Sequence, residues 1–336
     1  MDPLTQASLG AAAAALFSRG RNVRRAILVG ATAGAAPDVD VFIRSATDPL
    51  LALEYHRHFT HALLFAPAFG LLIAALFKGL FFWKRWSYRE LALFGIVGAL
   101  THGLLDACTS YGTLLYLPIS SHRESWDIIS IIDPIFTLPL FLLTVCAFAW
   151  RRPQFARVVF GFCMLYLCFG VYQRERAQSF ATGLAEERGH RPLQLTARPS
   201  FGNTVLWRLV YRAGDQYYVD AVRILPFRPA IHYPGASVPV FRLEDAHALL
   251  PADSILARDV ERFRFFSQDY LYQVPDEPVV SDLRYSMFPD SVEPLWGITV
   301  NPQETEAHAE MVYYRDPSQR SFDRIWRMIK GEPAEF

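Results

Sequence analysis

Apolar residues run long and nearly unbroken before residue 173 and come in short alternating stretches after it. Residues 62–83 carry one charge, Lys78, near the end of the run, where a lysine stem can lie along apolar surface with its ammonium in water. Residues 91–105, 134–150 and 158–173 carry none. A bilayer core takes about 20 predominantly apolar residues. The first run meets that length, and the others do so by including a few polar flanking residues. Trp and Tyr at several run ends suit the membrane–water interface. Two shorter apolar stretches, 3–17 and 23–36, are joined by a turn containing Arg19, Arg21, Arg24 and Arg25, which predicts a re-entrant or tilted hairpin. The opening Met-Asp-Pro places no basic residue ahead of the first stretch, which argues against a cleaved signal peptide. The expected fold is an α-helical membrane domain over residues 1–172, with four long transmembrane helices and an N-terminal hairpin of two short ones. A soluble β-rich α+β domain over residues 173–336 follows.

The second part changes period. Residues 205–211 and 217–224 alternate around Ala-Gly-Asp-Gln, a hairpin signal. Residues 282–286, 295–300 and 311–314 read as further strands, and 244–250 and 322–329 as helices. His190, His232, His247 and His308 are scattered there without ligand spacing, and no site is assigned to them.

Charge sharpens the division. The formal net charge of zero is made of 14 basic and 10 acidic residues in 1–172 against 19 and 23 in 173–336. No chain-wide basic excess points to nucleic acid, and four cysteines are too few for a disulfide framework in 336 residues. Lys84, Arg85 and Arg89 lie between the first two long runs, and Arg151, Arg152 and Arg157 between the third and fourth. In an alternating bundle both loops share one face, which the positive-inside rule makes cytoplasmic. Residues 37–61, 107–130 and everything after 173 then fall on the opposite face, the periplasm of a bacterial inner membrane.

That non-basic face collects the polar chemistry. Asp38 and Asp40 close the second short helix. His56, Arg57, His58 and His61 precede the first long run, and His102 and Asp106 end the second, four residues apart on one helical face. Antiparallel neighbours bring the start of one run beside the end of the other, so six potential ligands reach one level: Asp38, Asp40, His56, His61, His102 and Asp106. Buried imidazoles and carboxylates are costly unless paired, solvated or coordinating. As a ligand set they suit a divalent ion, zinc first, with manganese or iron(II) also compatible. An ion-paired packing network or a proton relay is the competing reading.

The matching stretches Met1-Asp-Pro-Leu-Thr-Gln6, Pro37-Asp38-Val-Asp40, His56-Arg57-His58-Phe-Thr-His61, His102-Gly-Leu-Leu-Asp106, Thr109-Ser-Tyr111-Gly112-Thr113 and Ile132-Asp133-Pro134 give residues 1–150 a family likeness. They resemble the bacterial membrane-bound metal-dependent hydrolases often called YdjM-like inner-membrane proteins. The chain departs from that pattern at His58, where glycine is common, and at Gln6, where histidine is common. The resemblance implies a helical metal core similar to that of zinc phospholipase C, rearranged as membrane helices, with the same six residues as ligands. The tail shares stretches around Asn203–Arg208 and Asp282–Tyr285 with relatives, without a function attached.

With a metal present, Asp38 and Asp40 could bind one ion, bridge two, or leave one carboxylate as a general base. Arg57 and Arg123 could clamp an anionic oxygen. A site at the membrane surface would meet membrane lipid, so the expected substrate is a phosphoester or lipid-linked molecule attacked by metal-activated water. No Gly-x-Ser-x-Gly elbow, Walker loop or His-Glu-x-x-His motif occurs. The alternative is a non-enzymatic membrane protein with a structural metal or polar cluster and a partner-binding tail. A transporter would need polar residues through the whole bilayer, and here they gather at one end. For topology, a periplasm-dependent reporter fused after residue 336 should be active and one fused after Arg152 silent; the reverse pattern would overturn the orientation.

Overall fold

The computed structural model describes residues 1–80, 86–314 and 319–333. Lys84 and Arg85 of the basic loop, and the last residues of the first long run, lie outside the described residues. Packing divides the chain into two units. One comprises Met1–Ile43, Tyr55–Val171 and Phe201–Asn203; the other comprises Arg44–Glu54, Tyr172–Ser200 and Thr204–Phe336.

The first unit is helical. The hairpin forms as α1 (Pro3–Leu16) and α2 (Val23–Ala35). Asp2 starts α1 by accepting from the Thr5 amide at 3.0 Å, with Pro3 at the first helical position, where its missing N–H costs nothing. A 3₁₀ turn, Ala36–Phe42, follows α2. After it come α3 (Leu50–Tyr55), a short 3₁₀ turn at Phe59–His61, and the helices α4 (Ala66–Leu80), α5 (Tyr88–Ala107), α6 (Pro134–Trp150) and α7 (Pro153–Glu187).

Among the described residues two helices, α5 and α7, are long and apolar enough to cross a membrane. A third span counts if Leu50–His61 and Ala66–Gly79, bent at the break between them, are taken as one. The helical half therefore has two to three candidate spans where the hydropathy pattern suggested four. Two local causes are visible. The chain from Phe59 to Phe65 makes turns, so α4 begins only at Ala66, four residues into the apolar run. Helix α6 is limited to 17 residues by its caps: Asp133 accepts from the Ile135 and Phe136 amides, and Arg151 takes a left-handed conformation at the far end.

Helix α5 sits at the centre, packed against α1, α2 and α4. Glycines permit this. A Cβ on Gly98 would lie 2.5 Å from the Gly30 carbonyl oxygen, and one on Gly10 equally close to it. Without side chains, the backbones of α1, α2 and α5 come into direct contact. Helix α7, by contrast, leaves Val158, Leu165 and Val171 exposed, as a lipid-facing helix would.

The second unit holds two four-stranded antiparallel sheets. The first is β1 (Gln194–Pro199), β2 (Leu206–Ala213), β3 (Gln216–Arg223) and β4 (Ile231–Pro239), in that order. The β2–β3 hairpin falls where the alternation placed it, with Tyr211 opposite Tyr218 and Gly214 supplying the positive φ of its turn. Ala177 and Ala181 of α7 pack on Trp207, Leu209 and Val222 of this sheet. The second sheet is β5 (Leu271–Gln273), β6 (Val279–Asp282), β7 (Trp296–Thr299) and β8 (Met311–Tyr313), again in chain order. The strand expected at 282–286 is displaced upstream to β6, because Arg284 folds back onto the Asp282 carboxylate and bends the chain there. Helices α8 (Leu243–Leu249), α9 (Ile255–Ser267) and α10 (Gln319–Lys330) complete the unit; α9 had not been anticipated.

Arg262 on α9 holds the 44–54 segment, pairing with Asp48 at 3.0 Å and Glu54 at 2.8 Å as well as with Asp259. Gly98→Val should force α5 and α2 apart, lowering the detergent-solubilised melting temperature by an amount corresponding to about 1–3 kcal/mol of overpacking. An unchanged melting curve would refute the close-approach account.

Candidate metal centre

Four of the six sequence-selected ligands converge. One donor atom each from Asp38, His61, His102 and Asp106 falls within 4.8 Å of all the others, so these residues could hold a metal ion. The His61 and His102 Nε2 atoms are 2.8 Å apart. Asp38 Oδ1 lies 3.5 and 3.4 Å from them, and Asp106 Oδ2 lies 3.2 and 3.5 Å away. Donors of a tetrahedral zinc-type ion, each at about 2.0–2.1 Å from it, stand roughly 3.3–3.4 Å from one another. The observed 2.8–3.5 Å separations bracket that value.

The tautomers make the case stronger. His102 Nδ1 lies 2.5 Å from the Gly34 carbonyl oxygen, which can only accept, so Nδ1 carries the hydrogen. His61 Nδ1 lies 3.2 Å from Asp40 Oδ2, also an acceptor. In the neutral rings both Nε2 atoms then present lone pairs to each other, beside two carboxylates. Asp106 Oδ2 is buried without a hydrogen-bond partner. Such an arrangement needs positive charge among the four atoms, which either a bound divalent cation or a proton on one of the rings would supply. Imidazoles oriented through Nδ1 by a carbonyl and a carboxylate are the usual outer support of a metal site.

Three elements place the four candidate ligands. His102 and Asp106 share a face of α5, and both are buried. His61 ends a 3₁₀ turn whose carbonyl presses on Gly103; a Cβ there would overlap the His61 carbonyl oxygen. Asp38 sits in the 3₁₀ turn after α2 and is the most exposed of the four, with 22% of its side-chain surface open. Burial favours its protonated form, but contact with His102 and His61, where a ring carries a proton on Nε2, outweighs that and holds the carboxyl well below the usual range.

Asp40 and His56 are not among the four. The Asp40 carboxylate accepts from the Arg57 amide at 2.9 Å and the Thr60 hydroxyl at 3.0 Å, and lies 3.1 Å from His56 Nδ1. It fixes the turn that carries His61. Burial again opposes ionisation, and contacts with His56 and His61 prevail, keeping this carboxyl low as well. His56 stays partly exposed at the rim, edge-on to His61 and Tyr111.

Both sequence-selected arginines are buried. Arg57 lies 3.3 Å from Asp106 Oδ2 through Nε, donates to the Thr109 hydroxyl at 2.7 Å, and covers the Tyr111 ring. Arg123 donates to the carbonyls of His56 and Gly112, each at 3.0 Å. Gln6, noted only as a departure from the family pattern, donates to Asp106 Oδ1 at 2.8 Å, and the amino group of Met1 contacts the same oxygen. Gly103, Thr60 and Thr109 carry no role in the sequence reading, although all three lie in stretches that match the family pattern. In the second unit Asp48, Asp259 and His308 also come within ligand distance, but Arg262 and His308 already pair with these carboxylates, so ordinary ion pairing accounts for them.

Two variants test the support. Gly103→Ala should push His61 from His102, and Asp40→Ala should free the His61 ring, each weakening divalent-metal affinity about 10–100-fold in a chelator competition. Unaltered affinity in both would disprove this assignment.

A search of curated proteins and a search of solved structures each return no match. A family model does match, described as YdjM inner membrane protein, over residues 1–177. That span covers more than half of the 336 residues, includes every residue of the metal cluster, and makes the chain a member of the YdjM inner membrane protein family.

Proposed function

We propose that this protein is a multi-pass inner-membrane hydrolase, dependent on a divalent metal, that cleaves a phosphoester or lipid-linked substrate at the periplasmic membrane surface. The observation that carries the reading is the pair of Nε2 atoms 2.8 Å apart, each with its Nδ1 directed at an acceptor, beside two carboxylates. Asp38, His61, His102 and Asp106 would hold the ion, and the mixed imidazole–carboxylate set favours zinc over the equally permitted manganese or iron(II). Bound there, a divalent ion supplies Lewis acidity toward a phosphoryl or ester oxygen and brings the pKa of water toward neutrality.

The chain's own residues supply the rest. Asp38, the most open ligand, marks the side from which substrate arrives. His56, at the rim and backed by Asp40, is placed to carry a proton to or from the reacting group, a two-residue relay of the usual histidine–carboxylate kind. Arg57 offsets the charge of Asp106 and keeps it oriented. Arg123 joins the backbone at His56 to that at Gly112, holding the rim in place. Both arginines therefore act here as positioning residues, and the anionic clamp expected of them would require them to leave their present partners. The soluble second unit, on the face away from the basic loops, would be periplasmic.

Elemental analysis of detergent-purified protein should find stoichiometric divalent metal, lost in His102→Ala and Asp106→Asn while both variants still insert. A panel of phosphoester lipids should be turned over by the metal-loaded protein, with His56→Ala reducing kcat by about 10²–10⁴-fold at retained metal content. Metal present with no turnover on any substrate would favour a structural centre; no metal in any preparation would sink both readings.

A further inference from the structure

One end of the second unit carries aromatic side chains that stand exposed among the described residues. Phe227, at the tip of the β3–β4 loop, is fully exposed, and Arg228 beside it is exposed too. On α10, Phe322 and Trp326 stand four residues apart on one face, both more than half exposed, with Lys330 another turn along. Ile325 and Met328 on the opposite face pack against Leu206, Ala221 and Tyr233. The helix is amphipathic, with aromatics on its outward side and basic residues at its margins.

The structure also indicates what lies opposite. Residues 158–173 of α7 carry no charge, and Gln173-Arg-Glu-Arg176 follows directly. The lipid–water boundary on that helix therefore falls within about one turn of Gln173. The β3–β4 loop is hydrogen-bonded to those same residues: Gln173 donates to the Ile224 carbonyl at 2.8 Å and Arg176 to the Leu225 carbonyl at 3.2 Å. Phe227 lies only two residues beyond Leu225, within about 7 Å of chain. Arg223, at the same end of β3, donates to the Ile329 carbonyl of α10 at 2.6 Å, which places the C-terminal end of that helix there too.

We propose that this end of the second unit is a membrane-seating surface. Phe227 enters the interfacial layer of the bilayer, Arg228 meets lipid phosphates, and Phe322 and Trp326 extend the contact along α10. The chemistry is that of interfacial anchoring: aromatic rings at headgroup depth, with arginine and lysine drawn to an anionic leaflet. The charge pattern agrees. Residues 173–336 hold 19 basic against 23 acidic residues, whereas α10 holds four basic (Arg320, Arg324, Arg327, Lys330) against one acidic, Asp323. The proposal is independent of the metal chemistry, since none of these residues belongs to that centre.

The test uses full-length protein in vesicles of phosphatidylethanolamine and phosphatidylglycerol with brominated acyl chains. The emission gained in Phe227→Trp reports position 227, and the emission lost in Trp326→Phe reports position 326. Both components should be quenched by brominated lipid and shielded from aqueous iodide. Adding Arg228→Glu should cut the quenching at 227 about twofold or more. Iodide quenching without lipid quenching at position 227 would overturn the proposal. So would shielding from both quenchers, which would point to a protein partner or a second copy of the chain.

Discussion

Two imidazole nitrogens with their lone pairs turned toward each other, next to two carboxylates in a protein interior, cannot be stable without positive charge among them. Much of the first unit is organised around this constraint. Hydrogen bonds at the far ring nitrogens of His61 and His102 leave Nε2 as the only free donor on each ring. Asp40 and Gly34 are thus as necessary to the site as the ligands. Arg57 compensates part of the carboxylate charge through Asp106, yet its planar, hydrogen-bonded head is tied to Thr109 and leaves the space between the four donor atoms to a smaller cation.

The same requirement explains the packing of small residues. A helix carrying His102 and Asp106 must be central, since polar side chains at membrane depth face the bundle interior. Gly98 brings α5 onto α2, and Gly103 lets the His61 turn lie directly on α5. The contact that closes the site is therefore backbone against backbone, which is why two histidines from segments 41 residues apart can meet at 2.8 Å. Between the turns that carry Asp38 and His61, the 44–54 segment packs within the second unit, gripped by Arg262, so the chain leaves the first unit and returns to it before reaching His56.

Hydropathy located the helices well because a membrane interior leaves little room for charge: α5, α6 and α7 each contain the run that announced them. It suggested four spans where the described residues hold two to three candidates, because an apolar run records composition and not where the helix begins. The turn before α4 takes up residues at the start of its run, and the caps of α6 hold that helix to the 17 residues of its own run. In the tail, the β2–β3 hairpin was legible from alternation and its turn residues. Helix α9 was not, since its burial depends on partners distant in sequence, and β6 ended early because Arg284 turned back on Asp282.

The sequence by itself determined which residues carry the chemistry. Asp38, Asp40, His56, His61, His102 and Asp106 stand out because imidazoles and carboxylates at the ends of apolar runs need a reason to be there, and helical spacing puts His102 above Asp106. Only the tertiary structure divided those six into ligands and supports. Whether a donor atom reaches a common centre, or turns instead to orient a neighbour, depends on angles between segments that no spacing encodes. Asp40 and His56 lie as near in sequence to the centre as Asp38 and His61 do, but the fold points the Asp40 carboxylate at Nδ1 of His61 and of His56 and leaves His56 at the rim.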